Sequence, residues 1–292
     1  MKKSIWILPA LAALGAGGLL RSQYERDHFV AEETKICSPR IKRERTAVFL
    51  TDLHDKEFGE GNRLLLDAVR QEQPDFVLIG GDTMVVKPGL AGLEATERLL
   101  AGLKELCPVY YGNGNHEQRL LKERESYGEM YRDFRRLLRK YQVVYLADSS
   151  VEVDEDIRIS GLDISQAYYR DVIPKRMEKE YITRRLGKAD PERFQILLAH
   201  SPLFLDAYAG WGADLTLAGH FHGGTVRIPG LGGVMTPQYQ FFLPCCGGTF
   251  KKDGRIMIVG RGLGTHSINI RFCNKPQVVV VRLMPERGCT DA

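Results

Sequence analysis

The sequence has no C-x-x-C pair, although six cysteines are spread over its 292 residues. Zinc ribbons and dense disulfide frameworks depend on closely and regularly spaced cysteines, so neither is indicated here. Repeats and low-complexity tracts are also missing from the sequence. This absence favours one continuous folded region over an array of modules.

A large excess of one charge is likewise absent. The chain carries 41 basic and 37 acidic residues, for a net charge of +4. A dedicated nucleic-acid binder presents a concentrated basic surface, often with interleaved aromatic residues, so no nucleic-acid partner is predicted. Apolar residues make up 43% of the chain, which is enough for a sizeable core.

One long uncharged run is present near the N-terminus, where residues Ser4 to Leu20 follow Lys2 and Lys3. As a helix, these 17 residues would measure roughly 25 Å, against roughly 30 Å for the hydrocarbon core of a bilayer. Residues 1–20 are therefore predicted to be a membrane-targeting segment, either an uncleaved single-pass anchor or a cleaved signal, with the anchor favoured. The short basic leader favours a domain on the extracytoplasmic side of the cell membrane.

The rest of the chain divides into three parts. Residues 21–46 are strongly charged and are predicted to form a tether, residues 47–285 one domain, and residues 286–292 a C-terminal tail. Apolar stretches alternate with amphipathic ones in the long part, which predicts an α/β domain with helices covering a sheet. Predicted strands are 47–50, 75–79, 108–111, 143–146, 151–153, 157–160, 194–199, 214–218, 255–259 and 278–283, and predicted helices are 61–73, 90–106, 127–141 and 170–186.

Five of the seven histidines stand in short motifs with aspartate, asparagine or glutamate, each at the end of an apolar run. Alternate residues leaving a strand point the same way, so Asp52 and His54 can present ligand atoms to one ion. His220 and His222 repeat this spacing. Asp82 follows two glycines that let the backbone crowd close to a site, and its two carboxylate oxygens can bridge two cations.

Asn115, His116 and Glu117 leave the predicted strand 108–111 in succession. An amide oxygen can bind a metal, an imidazole can transfer a proton, and a carboxylate can hold that imidazole in one tautomer. His200 ends another apolar run. Each motif alone is compatible with an ordinary turn or a core histidine, but all of them lie where strands end, which is where open α/β sheets bind ligands. A ligand set of nitrogen and oxygen without thiolate indicates Mn, Fe or Zn.

In this order, the motifs D-x-H, G-D, G-N-H-[DE], H and G-H-x-H resemble those of the calcineurin-like metallophosphoesterases, from about residue 47 to residue 283. The resemblance implies a metallophosphoesterase-like sandwich of two mixed β-sheets flanked by helices. It also implies two divalent metal ions, one held by Asp52, His54, Asp82 and His222 and the other by Asp82, Asn115, His200 and His220. A hydroxide bridging the ions would attack phosphorus, and His116, assisted by Glu117, would protonate the leaving oxygen.

The stretch 262–267, with Arg271 and Asn274, is similar to a membrane-associated bacterial branch of this family that contains the YkuE and YaeI proteins. This similarity implies a phosphomonoester or phosphodiester substrate met at the membrane. Two alternatives stay open: a pyrophosphatase for a nucleotide-linked lipid, and a non-catalytic module that keeps its metal centre for protein binding. Tyr168 and Tyr169 either contact the substrate or cover the core.

Overall fold

The computed structural model of the chain describes residues 7–89, 92–170, 175–228, 230–236, 240–243, 245–265 and 268–288. Within these ranges, two mixed sheets lie face to face and helices cover their outer surfaces. This architecture confirms the predicted α/β sandwich.

The first sheet contains the early strands of the chain and its last one. Its strands lie in the order β1 (Val30–Ser38), β14 (Gln277–Pro285), β2 (Arg45–Leu50), β3 (Phe76–Ile79), β4 (Val109–Gly112) and β5 (Val144–Leu146). The strands β2 to β5 pair in parallel, and β14 is antiparallel to β2. Parallel pairing brings the carboxyl ends of β2, β3 and β4 to one edge of the sheet.

The second sheet has the same mixed character. Its strands lie in the order β12 (Gly248–Lys252), β13 (Arg255–Val259), β9 (Leu215–Ala218), β8 (Phe194–Leu198), β7 (Ile157–Gly161) and β6 (Ser149–Glu152). The four inner strands are parallel, and the outer strands β12 and β6 are antiparallel to their neighbours. A short antiparallel pair, β10 (Arg227–Ile228) and β11 (Gly232–Gly233), stands apart from both sheets.

Helices form the outer layers because their apolar residues lie on one face. The helices are α1 (Ile7–Asp27), α2 (Arg63–Gln71), α3 (Glu94–Lys104), α4 (Asn115–Lys122), α5 (Arg124–Lys140), α6 (Ala167–Arg170), α7 (Lys179–Leu186) and α8 (Leu205–Trp211), with short 3₁₀ turns at Glu60–Asn62, Pro202–Phe204 and Glu286–Gly288. Helices α2, α3 and α5 pack on the first sheet, and α7 and α8 pack on the second.

Alternate residues of β2 show how the layers are stacked. Val48 and Leu50 belong to the core beneath the helices of the first sheet, whereas Ala47 and Phe49 belong to the core between the two sheets. A strand buried on both faces in this way requires a continuous apolar sequence. This is why the predicted strand 47–50 is confirmed.

The predicted tether over residues 21–46 does not hold. Helix α1 continues to Asp27, and β1 follows it and pairs in parallel with β14 along its whole length. As an edge strand, β1 needs no apolar cover on its outer side. Its acidic side chains instead form ion pairs, with Glu32 2.7 Å from Arg261 and Glu33 2.9 Å from Arg282.

Helix α1 covers most of the predicted membrane-targeting segment, whose first residues lie outside the described ranges. Leu19 and Leu20 on this helix are exposed. Across the residues that the structure describes, no helix combines the length and the apolar character needed to cross a membrane.

Candidate metal centre

The nine side chains singled out by the sequence follow the carboxyl ends of five strands. Asp52 and His54 follow β2, Asp82 follows β3, Asn115, His116 and Glu117 follow β4, His200 follows β8, and His220 and His222 follow β9. The carboxyl ends of the two sheets therefore supply opposite sides of one site. All of these residues are buried except Asn115, which is half-buried.

Five of these residues have left-handed backbone conformations, which are uncommon outside glycine: Asp52 (φ 53°), His54 (φ 47°), Asp82 (φ 53°), His220 (φ 73°) and His222 (φ 53°). Such conformations cost of order 1 kcal/mol each and persist only where the surrounding structure imposes them. Their concentration in the loops that follow β2, β3 and β9 marks a functional site rather than ordinary turns.

Close backbone contact between adjacent loops imposes these conformations. The amide of Asp52 donates to the carbonyl of Gly81 at 3.0 Å, and the amide of His54 donates to the carbonyl of Asp82 at 3.1 Å. Gly81 (φ +89°) has no room for a side chain, because a Cβ there would lie 1.9 Å from the amide nitrogen of Gly114. The glycines before Asp82 therefore allow the close approach that the sequence predicted.

Asp52, His54 and His222 form one group of potential ligands, whose ligand atoms all lie within 4.8 Å of one another. The Nε2 atoms of His54 and His222 are 3.2 Å apart. The Oδ1 atom of Asp52 lies 3.4 Å from Nε2 of His222. Three converging, buried donor atoms of this kind fit a divalent cation.

Asp82, His200 and His220 form a second such group. The Oδ2 atom of Asp82 lies 3.1 Å from Nε2 of His200 and 3.8 Å from Nε2 of His54. Asp82 therefore stands between the two groups, as a bridging carboxylate must. The ligand atoms of His54, Asp82 and His116 also lie within 4.8 Å of one another.

The amide oxygen of Asn115 is the observation that favours a metal over mutual hydrogen bonding. This Oδ1 atom is buried and has no hydrogen-bond partner among the residues that the structure describes. A buried polar atom without a partner costs about 1–3 kcal/mol. An amide oxygen at the edge of a carboxylate and imidazole cluster would lose that penalty by binding a cation, so the donor set fits a metal centre.

Burial and mutual attraction shift the ionisation of the cluster. Burial raises the pKa of the Asp52 carboxyl to about 7, although the His200 imidazole acts in the opposite direction. Burial also acts to raise the pKa of Asp82, but His200 and His116 together hold it well below its usual range. Burial acts to lower the pKa of the His200 imidazole, but the attraction of Asp82 and Asp52 raises it to about 10. In the metal-free cluster, the carboxylate of Asp82 is thus stabilised by the imidazoles around it, in the place where a cation would bind.

Backbone carbonyls orient two of the histidines toward the cluster. Nδ1 of His200 is 2.8 Å from the carbonyl oxygen of Gly80, and Nδ1 of His222 is 3.0 Å from that of Gly264. A carbonyl can only accept, so in the neutral ring each Nδ1 carries the proton and each Nε2 is the acceptor nitrogen. This is the tautomer that binds a metal through Nε2.

His116 has the opposite tautomer. The backbone amide of Val86 donates to its Nδ1 at 2.8 Å, so in the neutral ring the proton lies on Nε2. The sequence predicted that Glu117 would hold this imidazole, and the structure gives that task to Val86. A backbone amide leaves no signal in a sequence, so this partner was missed.

Glu117 binds the backbone instead. Its carboxylate accepts from the amides of Asp82 at 2.8 Å, Thr83 at 3.0 Å and Gly114 at 2.9 Å, and from the Tyr111 hydroxyl at 2.6 Å. These contacts join the loops that follow β3 and β4. Glu117 is thus a positioning residue for Asp82 rather than a partner of the imidazole.

Tyr169, on α6, packs against the second group. Its ring centroid lies 4.9 Å from that of His220 and 6.3 Å from that of His200. Its hydroxyl is buried and has no hydrogen-bond partner within the described residues. Burial raises its pKa well above the usual range, so the phenol stays a neutral donor. Tyr168 instead contacts Tyr181 and Phe204 in the core of the second sheet.

Comparison with known proteins gives a family for this site. The calcineurin-like phosphoesterase family matches residues 46–224, a span that holds every residue of both ligand groups. An uncharacterized metallophosphoesterase of Helicobacter pylori strain J99 is 26% identical over 262 residues, which are 87% of this chain and 64% of that protein. The uncharacterized metallophosphoesterase YkuE of Bacillus subtilis is 26% identical over 247 residues, 81% of this chain and 78% of YkuE.

A third relative has a named activity. The UDP-2,3-diacylglucosamine pyrophosphatase LpxG of Chlamydia trachomatis is 25% identical over 160 residues, which are 51% of this chain and 44% of LpxG. The chain therefore spans less than two thirds of the Helicobacter protein and of LpxG. The family match covers more than half of the chain and coincides with the clustered carboxylates and imidazoles. This chain belongs to the calcineurin-like phosphoesterases, metal-dependent hydrolases of phosphoester bonds.

Proposed function

We propose that this chain is a two-metal phosphoesterase that hydrolyses a phosphomonoester or phosphodiester. The position of Asp82 between the two ligand groups is the observation that carries the proposal. Asp52, His54, Asp82 and His222 would hold one ion, and Asp82, Asn115, His200 and His220 the other. Nitrogen and oxygen donors without a thiolate favour Mn, Fe or Zn.

The metal pair would lower the pKa of a bound water and neutralise charge on the phosphoryl oxygens. Side chains of the protein would transfer the proton and position the metal ligands. His116 carries its proton on Nε2 because Val86 occupies Nδ1, so it is prepared to protonate the leaving oxygen. Glu117 holds the loop that carries Asp82. The buried Tyr169 hydroxyl, which has no hydrogen-bond partner among the described residues, would donate to a phosphoryl oxygen.

Two variants of the full chain test this assignment by separating metal binding from proton transfer. We expect Asp82→Ala to lose both metal ions and activity, because it removes the shared ligand. We expect His116→Ala to keep both ions and to lower kcat by about 10²–10⁴-fold, the usual contribution of a general acid. Bound Mn²⁺ is counted by elemental analysis, and turnover is followed with a chromogenic phosphoester.

Asp67→Ala is the control, because Asp67 is an exposed carboxylate on α2 that pairs with Arg70. It should match the wild type in metal content and turnover. Full turnover by both site variants would contradict the proposed function. Loss of a metal ion in His116→Ala would instead make His116 a ligand, as its distance to His54 and Asp82 permits.

A second candidate activity is hydrolysis of a nucleotide-linked lipid pyrophosphate. Exposed apolar side chains between β9 and β12 and between β13 and β14 favour it, together called the apolar rim: Ile228, Leu231, Phe241, Phe242 and Ile270. Backbone contacts connect this rim to the metal centre: Thr225, three residues after His222, donates to the carbonyl of Met235, and Met235 bridges to Phe241. Exposed apolar groups beside the site suit an acylated substrate.

Under this candidate activity, the apolar rim should matter only for acylated substrates. Phe241→Ser with Phe242→Ser should lower kcat/KM for a dispersed diacyl substrate and leave that for a water-soluble nucleotide pyrophosphate unchanged. An equal loss of kcat/KM on both substrates would show that the rim does not recognise the acyl chains.

We also propose that the protein acts at the membrane, on the basis of the basic leader and apolar run of residues 1–20. Fractionation of cells that express the full chain tests this proposal.

A further inference from the structure

The end of α1 is fixed to the domain by polar side chains. Ser22 and Glu25 are buried, with 4% and 0% of their surfaces exposed, whereas Leu19 and Leu20 are 67% and 72% exposed. A helix that docked for stability alone would bury its apolar residues and expose its charged ones. The inverse arrangement indicates that the contacts of Ser22 and Glu25 serve a particular geometry.

Both side chains accept from the backbone of one turn, residues 271–274. The Oγ atom of Ser22 accepts from the amide of Arg271 at 3.0 Å, and Oε2 of Glu25 accepts from the amide of Asn274 at 2.7 Å. The helix thus holds the first and the last residue of this turn. These contacts join parts of the chain that are 249 positions apart.

The same turn holds the loop that contains His222. The side-chain amide of Asn274 donates to the carbonyl of His222 at 2.7 Å and also to that of Gly224. Nη2 of Arg271 donates at 2.8 Å to the carbonyl of Gly264. That carbonyl oxygen is the one that fixes the tautomer of His222, through Nδ1 at 3.0 Å.

Charge strengthens this connection. Arg271 is 1% exposed, and burial lowers the pKa of its guanidinium to about 9, while Asp52 and Glu25 act in the opposite direction. A buried cation requires nearby anions, and Asp52 and, to a smaller extent, Glu25 stabilise the charge of Arg271. Glu25 also forms an ion pair with Arg21 at 2.7 Å.

We propose that Ser22 and Glu25 are positioning residues of the metal centre, acting through the 271–274 turn to aim Nε2 of His222 at the first ion. Helix α1 is then part of the hydrolytic centre and not only a targeting segment. The inference rests on the proposed function in one respect, because it takes His222 as a ligand. Partners of metal-binding histidines typically change metal affinity by about 10–100-fold when they are removed.

The test measures Mn²⁺ binding to metal-free full-length protein by calorimetric titration, with two resolved binding events. In Glu25→Ala, we expect the event assigned to Asp52, His54 and His222 to weaken by about 10–100-fold, and the event assigned to Asp82, His200 and His220 to stay within about twofold. General destabilisation would weaken both events. Glu25→Gln should fall between Glu25→Ala and the wild type, because its amide oxygen still accepts from Asn274.

Gln23→Ala is the matched control, since Gln23 is exposed on the same turn of α1. It should bind both ions as the wild type does. If Glu25→Ala fails to fold, as judged by thermal denaturation, Ser22→Ala gives the decisive result, because it removes one hydroxyl and no charge. A folded Ser22→Ala that weakens only the His222 event supports the proposal.

Unchanged affinity for both ions in folded Glu25→Ala or Ser22→Ala overturns the inference, as does equal weakening of both. Failure of the proposed function gives a different result, since wild-type protein would then bind no Mn²⁺ or would bind it equally well after His222→Ala. The two failures are therefore distinguishable.

Discussion

The two sheets contribute the two sides of the metal centre, but they hold their ligands in different ways. On the first-sheet side, the loops that carry Asp52, His54 and Asp82 are held by each other and by Glu117. On the second-sheet side, the His222 loop is held by Asn274 and Gly264, which lie 52 and 42 positions away in the sequence. One side, here called local, is therefore held mainly by adjacent loops of its own sheet. The other side, here called remote, is held by the segment that connects β13 to β14, and Gly264 of that segment also donates its amide to the carbonyl of Asp52 at 2.7 Å.

The difference follows from the order of the strands. β2, β3 and β4 are adjacent and parallel, so their carboxyl-end loops touch at once and can exchange backbone hydrogen bonds. β9 lies between β8 and β13, and the loop after it contacts Gly264 and Asn274, which lie between β13 and β14 in the chain. The remote side is thus the one through which a distant element, such as α1, can affect metal binding.

The largest expected effect comes from breaking the local side at Gly81. In Gly81→Ala, the new Cβ would lie 1.9 Å from the backbone of Gly114, and the φ of +89° adds strain of its own. We expect the free energy of unfolding, measured with urea, to fall by more than about 3 kcal/mol. Both loops are tied in place, since Asp52 donates to the carbonyl of Gly81 and the Glu117 carboxylate accepts from the amides of both Gly114 and Asp82.

Gly254→Ala, in the turn between β12 and β13, is the control, because Gly254 has a φ of +74° and nothing within 4 Å of its missing Cβ. Its free energy of unfolding should fall only by the cost of holding alanine in a left-handed conformation, about 1–2 kcal/mol. Similar losses in the two variants would show that the loops after β3 and β4 can separate, which would remove the distinction between the two sides.

A smaller effect is expected from Glu117→Gln, which keeps the shape of the side chain and removes its charge. The variant turns one acceptor into a donor in front of the amides of Asp82, Thr83 and Gly114. We expect a loss of about 2 kcal/mol in the free energy of unfolding. Because Asp82 is the proposed shared ligand, both Mn²⁺ binding events should weaken, in contrast to the single event expected for Glu25→Ala.

Glu97→Gln is a suitable control on α3. Glu97 is an exposed carboxylate that accepts from Lys140 at 2.7 Å and from the Tyr141 hydroxyl at 3.0 Å. Its replacement should cost under about 1 kcal/mol and leave metal binding unchanged. Weakening of only one binding event in Glu117→Gln would show that Asp82 is not shared.

The first-sheet side was also the more predictable one. The strands β2, β3 and β4 are continuous apolar runs, and Asp52, Asp82 and His116 follow directly at their ends, so local sequence was sufficient. The backbone amides that Glu117 binds have no sequence signature. That residue was therefore identified, but with the wrong contact.

Remote contacts were not predictable in the same way. β1 contains several exposed charged residues and resembles a tether, because an edge strand need not be apolar and its partner β14 is far along the chain. Arg271 and Asn274 stood out only through a family resemblance, and nothing near them indicates that they hold His222. The sequence gives no sign of the roles of Ser22 and Glu25, because a polar residue that is buried on a helix cannot be told from an exposed one in the sequence alone.

The smallest effect concerns Asp163, which joins the two sides. Its Oδ1 accepts from Nδ2 of Asn113 at 2.9 Å, so a residue after β7 contacts the loop after β4. Burial raises the pKa of Asp163 to about 7 and the neighbouring Asp148 acts in the same direction, against Asn113, Arg185 and Lys122. An unfolded aspartate has a pKa of about 3.9, so the native state binds the extra proton between these values.

Stability should therefore fall as the pH rises from about 4 to about 7, and the loss should be complete above that window. Asp163→Asn cannot ionise and still accepts from Asn113, so its free energy of unfolding relative to wild type should rise by at least about 1 kcal/mol between pH 4.5 and pH 8. Urea titrations of both metal-free proteins check this, since the titration of the histidine cluster cancels in the difference. A flat difference for Asp163→Asn would mean that Asp163 is ionised in the native state and that the two sides meet through a charged contact.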